Sequence, residues 1–194
     1  MRVVDVVVSL VALVVLSPVL VIAAVAVRLT MGSPVLFRQV RAGRGGAPFE
    51  LLKLRTMRDL RPGERSPDDD AARLTRLGEV LRRTSVDELP ALVNVLRGEL
   101  ALVGPRPLPT KYVARYSPEQ ARRLEVRPGV TGWAQVHGRN TVPWDDRFRL
   151  DVWYVDHRSI ALDLRILLKT VRTVLRREGI SAEGHVTMRE FTGD

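Results

Sequence analysis

From Val6 to Val27 the chain is apolar except for Ser9 and Ser17, and nothing else in the sequence restricts the fold as strongly. As one straight helix this run is long enough to cross a hydrocarbon core of roughly 30 Å. Near its middle stand Ser17 and Pro18. Proline removes an amide and clashes with the carbonyl of Val14, which predicts a sharp bend. The Ser17 hydroxyl can satisfy the freed carbonyl one turn back. With a break there, each arm is too short to cross. Arg2 precedes the run, and Arg28, Arg38, Arg41 and Arg44 follow it. The positive-inside rule is then best met with both ends on the cytoplasmic side. Three readings stand: a spanning helix, a helix-break-helix hairpin that dips into one leaflet, and a signal peptide cleaved near Ala24-Val25-Ala26. Asp5 and the length of the run weigh against the last.

The 194 residues suffice for one domain with a modest core. The sequence divides into residues 1–30, the membrane segment, and 31–194, the domain it would tether. The expected class is α+β: a mainly helical single domain with one short β-hairpin, a re-entrant membrane helix and amphipathic interfacial helices. VLFRQV (35–40) and FELLKLRTM (49–57), joined by the glycine-rich RAGRGGAP, read as the hairpin, with Lys53 and Arg55 on one face. Gly43, Gly45 and Gly46 are turn glycines, since no P-loop lysine follows them. The loop-like LRPGERSPDDD (60–70) leads into a predicted helix over 71–83. Its three aspartates complement the helix dipole more readily than they hold metal. Ser117, Pro118 and Gln120 predict a capped helix that ends at Arg127-Pro128-Gly129.

The clearest helical period lies near the C-terminus: Leu164, Leu167, Leu168, Val171, Val174 and Leu175 share one side, with Arg165, Lys169, Arg172, Arg176 and Arg177 around the remainder. Such a stripe packs on a core or lies at a lipid surface. Trp144, Phe148 and the segment Trp153 to His157 carry aromatic rings suited to the same interface.

A formal charge of +9, carried mostly by arginine, predicts an anionic partner: nucleic acid, an anionic bilayer or a nucleotide-sugar. No nucleic-acid motif appears. The absence of cysteine excludes disulfides and thiolate chemistry. His137, His157 and His185 are too scattered for a metal site.

The candidate site is the run TSVDELPALVNVLRGELALVGPRP, in which Asp87 and Glu88 precede Pro90 and an apolar helix. Taken alone, both acids are helix caps: Asp87 as an N-cap, Glu88 closing a capping box with Ser85. The bracketing cations Lys53, Arg55, Arg82, Arg83 and Arg106 point instead to phosphate, whose oxygens need fixed positive charge during transfer.

The stretches PVLFRQVRAGRGGAPFELLKLRTM, LRRTSVDELPALVNVL, LVGPRPL and RPGVTGWAQVHGRN, in this order, resemble the bacterial sugar transferases known as monotopic phosphoglycosyl transferases, in particular their small single-domain members. The resemblance implies a re-entrant helix broken at Ser17-Pro18, with Arg2 and Asp5 where the family carries its basic-acidic pair at the start of that helix. It implies that a UDP-sugar donor gives sugar-1-phosphate to a membrane polyprenyl phosphate at the cytoplasmic face of the inner membrane. Asp87 would be the nucleophile and a ligand of Mg²⁺. Glu88 would position or deprotonate reacting groups, and Lys53, Arg82 and Arg106 would stabilise phosphate charge. Arg127 and Arg139 are candidate nucleotide contacts within the RPGVTGWAQVHGRN motif. The C-terminal REGISAEGHVTMREFTG resembles small members that use N-acetylated amino and diamino sugars. The sugar, the polyprenol length and a homodimer are left open. Two other classes compete: a noncatalytic membrane scaffold of the same fold, and a basic membrane-tethered protein that binds nucleic acid or anionic lipid.

Overall fold

The computed structural model describes residues 2–65, 69–138, 142–176 and 190–193. It is mainly helical, with two small sheets and one long apolar helix at the N-terminus. That helix, α1 (Arg2–Met31), continues through Pro18. Pro18 leaves the Val14 carbonyl without its amide partner, and Ser17 Oγ donates to that oxygen at 2.8 Å, as the sequence predicts. The secondary structure is therefore not interrupted where a break was expected.

One face of α1 is attached to the rest of the chain at both ends. Arg2 donates to Val95 O and, at 2.8 Å, to Leu96 O; Leu102 N donates to Asp5 Oδ1 at 3.3 Å. Ala12 and Leu13 pack against a core of Leu92, Leu102, Val103, Tyr154, Leu162 and Ile166. Further on, Ala23 and Val27 pack with Leu54 and Leu81, and Arg55 donates to Met31 O. The positions 2, 5, 9, 12, 13, 20, 23, 24, 27 and 31 follow a helical period, so a single stripe faces the body. The opposite side leaves Val7, Leu10, Val11, Val14, Val21, Ile22 and Leu29 exposed.

After α1, strands β1 (Leu36–Ala42) and β2 (Pro48–Leu54) form the expected antiparallel hairpin. The predicted helix over 71–83 is two helices, α2 (Asp70–Arg73) and α3 (Arg76–Thr84). Between them Leu74 and Thr75 are extended, because Thr75 N donates to Thr56 O and its hydroxyl caps α3 through Gly78 N at 2.9 Å. A 3₁₀ turn, Val86–Glu88, leads into α4 (Ala91–Arg97), which ends on Gly98 at φ 87°. Next comes β3 (Ala101–Val103). Helix α5 (Pro118–Ala121) carries the predicted capping box of Ser117 and Gln120 but passes at once into a 3₁₀ turn, Arg122–Leu124.

Strand β4 (Gly129–Thr131) pairs in parallel with β3, a sheet the sequence reading lacks. The backbones meet so closely that a Cβ on Gly129 would lie 2.1 Å from Gly104 N. Last come α6 (Trp144–His157) and α7 (Ile160–Arg176). Phe148 is buried with Leu108, Tyr112 and Phe191, so it and its stacked neighbour Trp144 belong to an internal cluster rather than to an aromatic belt. In α7 the core contacts come from Leu162, Ile166 and Leu167. The stripe legible in the sequence is largely the outer one: Leu164 is 54% and Leu168 74% exposed, with Ile160 and Val171 beside them.

Candidate active site

Three elements bring the acid pair together with cations. Strand β2 supplies Lys53, the end of α3 supplies Arg82, and the turn between β3 and the following 3₁₀ segment supplies Arg106. Asn94, fully buried on α4, locks the first of these to the acid-bearing turn. Its Oδ1 accepts from Leu52 N at 3.0 Å, and its Nδ2 donates to Glu50 O at 2.7 Å. Ser85 enters the turn in the left-handed conformation, φ 57°, which strains a residue with a Cβ. Asp87 and Glu88 then follow as one short 3₁₀ turn.

Neither acid is a cap. Pro90 occupies the N-cap of α4 without a side-chain bond, and Ser85 makes no capping bond either. Glu88 Oε1 accepts from Lys53 Nζ at 2.7 Å and from Arg106 Nη2 at 2.9 Å. Burial alone would raise the Glu88 pKa, but these two cations hold it well below the usual carboxylate range. Asp87 is 6% exposed, and its carboxylate accepts no hydrogen bond from any described residue. Burial, together with the neighbouring Glu88 charge, pushes its pKa up to about 6 against the pull of Lys53, Arg82 and Arg106. One acid is thus clamped through a single oxygen and firmly ionised. The other has open oxygens and titrates near neutrality.

Arg82 is steadied by Thr56, whose Oγ1 accepts from its Nε at 3.0 Å. Burial lowers its pKa, with the charge of Asp87 opposing. Burial likewise lowers that of Lys53 against Glu88. Arg106 is held from behind: Arg123 Nη2 donates to its carbonyl at 2.7 Å.

Two of the five bracketing cations lie elsewhere. Arg55 turns to the end of α1, and Arg83 pairs with Glu79 at 3.0 Å on the exposed face of α3. Arg127 is not brought to the acid pair. Its Nε donates to Gly98 O at 3.1 Å, where with Arg2 it meets the carbonyl end of α4. Arg139 and the C-terminal segment 177–189 fall outside the described residues. Sequence reasoning passed over Arg41, counted there only as a flanking positive charge. It lines the same cleft as Lys53, Glu88 and Arg106, with Leu51 and Val130 among the apolar walls, around some 330 Å³ of empty space open to solvent. The signal was available in the strand period, since Arg41 falls on the cleft-facing side of the hairpin.

The donor set decides which ion the site suits. Among the described residues no three His, Asp or Glu side chains converge, and Glu88 Oε1 is already taken by two cations. Both oxygens of Asp87 and Oε2 of Glu88 accept no hydrogen bond from a described residue. That does not make a protein cage, but it fits Mg²⁺, which takes one or two carboxylates and completes its shell with water and substrate phosphates.

A buried turn carrying one open and one clamped carboxylate, walled by lysine and arginine, has the chemistry that suits a substrate with clustered phosphate charge. The family model for the bacterial sugar transferases matches residues 1–177. The chain belongs to that family. It is 56% identical over 167 residues to the uncharacterised sugar transferase EpsL of Bacillus subtilis, covering 86% of this chain and 83% of that one. It is 45% identical over 188 residues to the UDP-glucose:undecaprenyl-phosphate glucose-1-phosphate transferase of Caulobacter vibrioides, covering 90% and 69%. A third relative, the UDP-N-acetylgalactosamine-undecaprenyl-phosphate N-acetylgalactosaminephosphotransferase of Aeromonas hydrophila, is 37% identical over 179 residues, which are 88% of this chain and 42% of that protein. The protein is accordingly a phosphoglycosyl transferase.

Proposed function

We propose that the enzyme transfers sugar-1-phosphate from a UDP-sugar to undecaprenyl phosphate through a covalent intermediate on Asp87. The carrying observation is the asymmetry of the acid pair: Glu88 is clamped by Lys53 and Arg106, whereas buried Asp87 has oxygens that no described side chain occupies. The named reactions of the Caulobacter and Aeromonas relatives supply the donor and acceptor classes.

In the first step an Asp87 oxygen bonds to the β-phosphorus of the donor and the bridging P–O bond breaks, so that UMP departs with that electron pair. In the second, an oxygen of the lipid phosphate bonds to the same phosphorus and the Asp87 C–O–P linkage opens, which regenerates the carboxylate and yields polyprenyl diphosphate sugar. Lys53, Arg82 and Arg106 balance the charge that builds on the phosphoryl oxygens. Mg²⁺, held by Asp87 and substrate phosphate, would offset repulsion between anionic attacker and anionic donor.

The membrane arrangement is part of the proposal. A continuous apolar face on α1 is difficult to reconcile with water, and both ends of that helix are bonded to the one body that holds the site. A spanning helix would have to detach one end. These features favour a monotopic, re-entrant seat in the cytoplasmic leaflet of the inner membrane, with the exposed stripe of α7 and its basic neighbours at headgroup depth.

The test mixes enzyme with a panel of UDP-sugars and Mg²⁺, without lipid acceptor. The correct donor releases up to one UMP per active site and adds the mass of a sugar phosphate to the peptide containing Asp87. Undecaprenyl phosphate then discharges that adduct into lipid product. Transfer without any adduct, undiminished in Asp87→Asn, would replace the covalent route by direct displacement.

A further inference from the structure

The cations of the cleft are not all spoken for. Lys53 and Arg106 share Glu88 Oε1, but Arg41 meets only neutral acceptors: Nη1 donates to Pro107 O at 3.2 Å and Nη2 to Gln39 Oε1 at 2.6 Å. Its Nε is buried without a partner among the described residues. The hairpin register explains how it arrives there. Arg41 pairs with Phe49, and residues directly opposite share a face, as do alternate residues along a strand. Arg41, Leu51 and Lys53 therefore look into one cleft, with Arg41 beside Pro107 and Lys53 nearer Phe37. Burial, with Arg106 close by, depresses the guanidinium to about 10. In the cleft as it stands the Arg41 charge is under-compensated, and an anion would relieve it.

Charge and position both say which anion. Arg41, Lys53 and Arg106 line the cleft with Glu88, and Asp87 lies beside it, three cations against two carboxylates, so positive charge is in excess there and suits the negative charge of a diphosphate diester. Arg41 also lies five residues along β1 from Leu36, roughly 17 Å at strand rise, and Leu36 packs against the part of α1 around Val27. It is therefore at the end of the cleft remote from the C-terminal third of α1, and a lipid phosphate is taken to arrive from the side of that third, where Lys53 lies nearer. We infer that Arg41 binds the phosphate that leaves with the nucleoside, the α-phosphate of the donor, and not the phosphate of the lipid acceptor. This rests on the reaction proposed above.

The test measures UMP binding by calorimetry to the full chain in nanodiscs, alongside KM for the UDP-sugar and for undecaprenyl phosphate, in wild type, Arg41→Ala and Arg41→Lys. The alanine variant should bind UMP at least about tenfold more weakly, the loss of one charge-assisted contact. Its donor KM should rise in step, and its KM for undecaprenyl phosphate should stay within about twofold. Lysine, which keeps the charge but loses the fork, should fall between. Arg41→Gln keeps a donor in reach of Pro107 O and carries the same comparison if the alanine variant does not fold. Unchanged UMP affinity in these variants, or a lipid-phosphate KM that rises as much as the donor's, overturns the assignment while the reaction stands. A wild-type protein that binds no UMP overturns both.

Discussion

Two groups of buried charge lie back to back in this molecule, and they are built differently. Arg123 and Asp151, each side chain 2% exposed, form a closed unit. Arg123 Nε and Nη2 donate to Asp151 Oδ2 at 3.1 and 2.8 Å, Nη2 also to Arg106 O, and Nη1 to Tyr116 Oη at 3.1 Å, while the rings of Tyr116 and Phe148 flank the guanidinium at 5.7 and 5.6 Å. The acid pair is half closed: Glu88 is clamped, Asp87 is not. Burying a charge is costly unless its partners are complete. A completed pair is therefore architecture, and an incomplete one is where the proposed reaction places the substrate. The two groups are also joined in series, since the closed pair holds the backbone of Arg106 and Arg106 holds Glu88.

The comparison is broken most forcefully by exchanging the consequences. Asp87→Asn should lose at least about 10³-fold in turnover, roughly 4 kcal/mol or more of transition-state stabilisation, while staying folded and membrane-bound. Asp151→Ala should do the reverse of that in kind. It strands Arg123 without its counter-charge and should cost about 3–5 kcal/mol of stability in chemical denaturation. A stable Asp151→Ala protein, or a collapsed Asp87→Asn one, would mean that the roles of the two groups have been assigned the wrong way round.

Lys53→Ala and Arg106→Ala sharpen the division within the acid pair. Each should cost about 2–3 kcal/mol in kcat/KM if the cations meet developing phosphate charge. Near-normal kcat/KM in both variants would leave them as mere holders of Glu88.

Much of this arrangement was written in short-range pattern. The length of α1, the hairpin and the capping box at Ser117 follow from local periodicity and turn chemistry, and the acid pair with Lys53, Arg82 and Arg106 from a motif. What escaped has long-range causes. The β3 and β4 strands are three residues each, too short for an alternation signal, and pair only because Gly104 and Gly129 let two backbones touch. The predicted helix over 71–83 split because Thr56, distant in sequence, offers Thr75 a backbone bond. In α7 a single period carries two apolar stripes, and only the packing of Leu162 and Ile166 tells which one is inside. Arg41 read as one arginine among many until the strand register set it on the same face as Lys53. The Arg123–Asp151 pair joins residues 28 apart in sequence, with no motif to announce it.

The smallest expected effect is the most discriminating about Asp87, because its sign is fixed by the environment. The carboxyl of Asp87 is raised in the folded protein, from an ordinary 3.8 to about 6, by burial and by Glu88. Such a group contributes its full share of stability below the unfolded value, and that share is lost as pH rises through the folded one. Asparagine at the same position carries no charge to bury, so the melting temperatures of Asp87→Asn and wild type should coincide below about pH 4 and separate as pH rises. Above pH 7 the variant should be the more stable, by on the order of 3 kcal/mol. Glu88, held low by Lys53 and Arg106, titrates in both proteins and largely cancels in the difference. Over the same range wild-type kcat/KM should fall about tenfold per unit of pH below 6, as the attacking carboxylate is protonated. Had Asp87 been a saturated ion-pair partner like Asp151, its removal would instead destabilise the protein at pH 8, and a lower melting temperature for Asp87→Asn there would reject the open-carboxylate site.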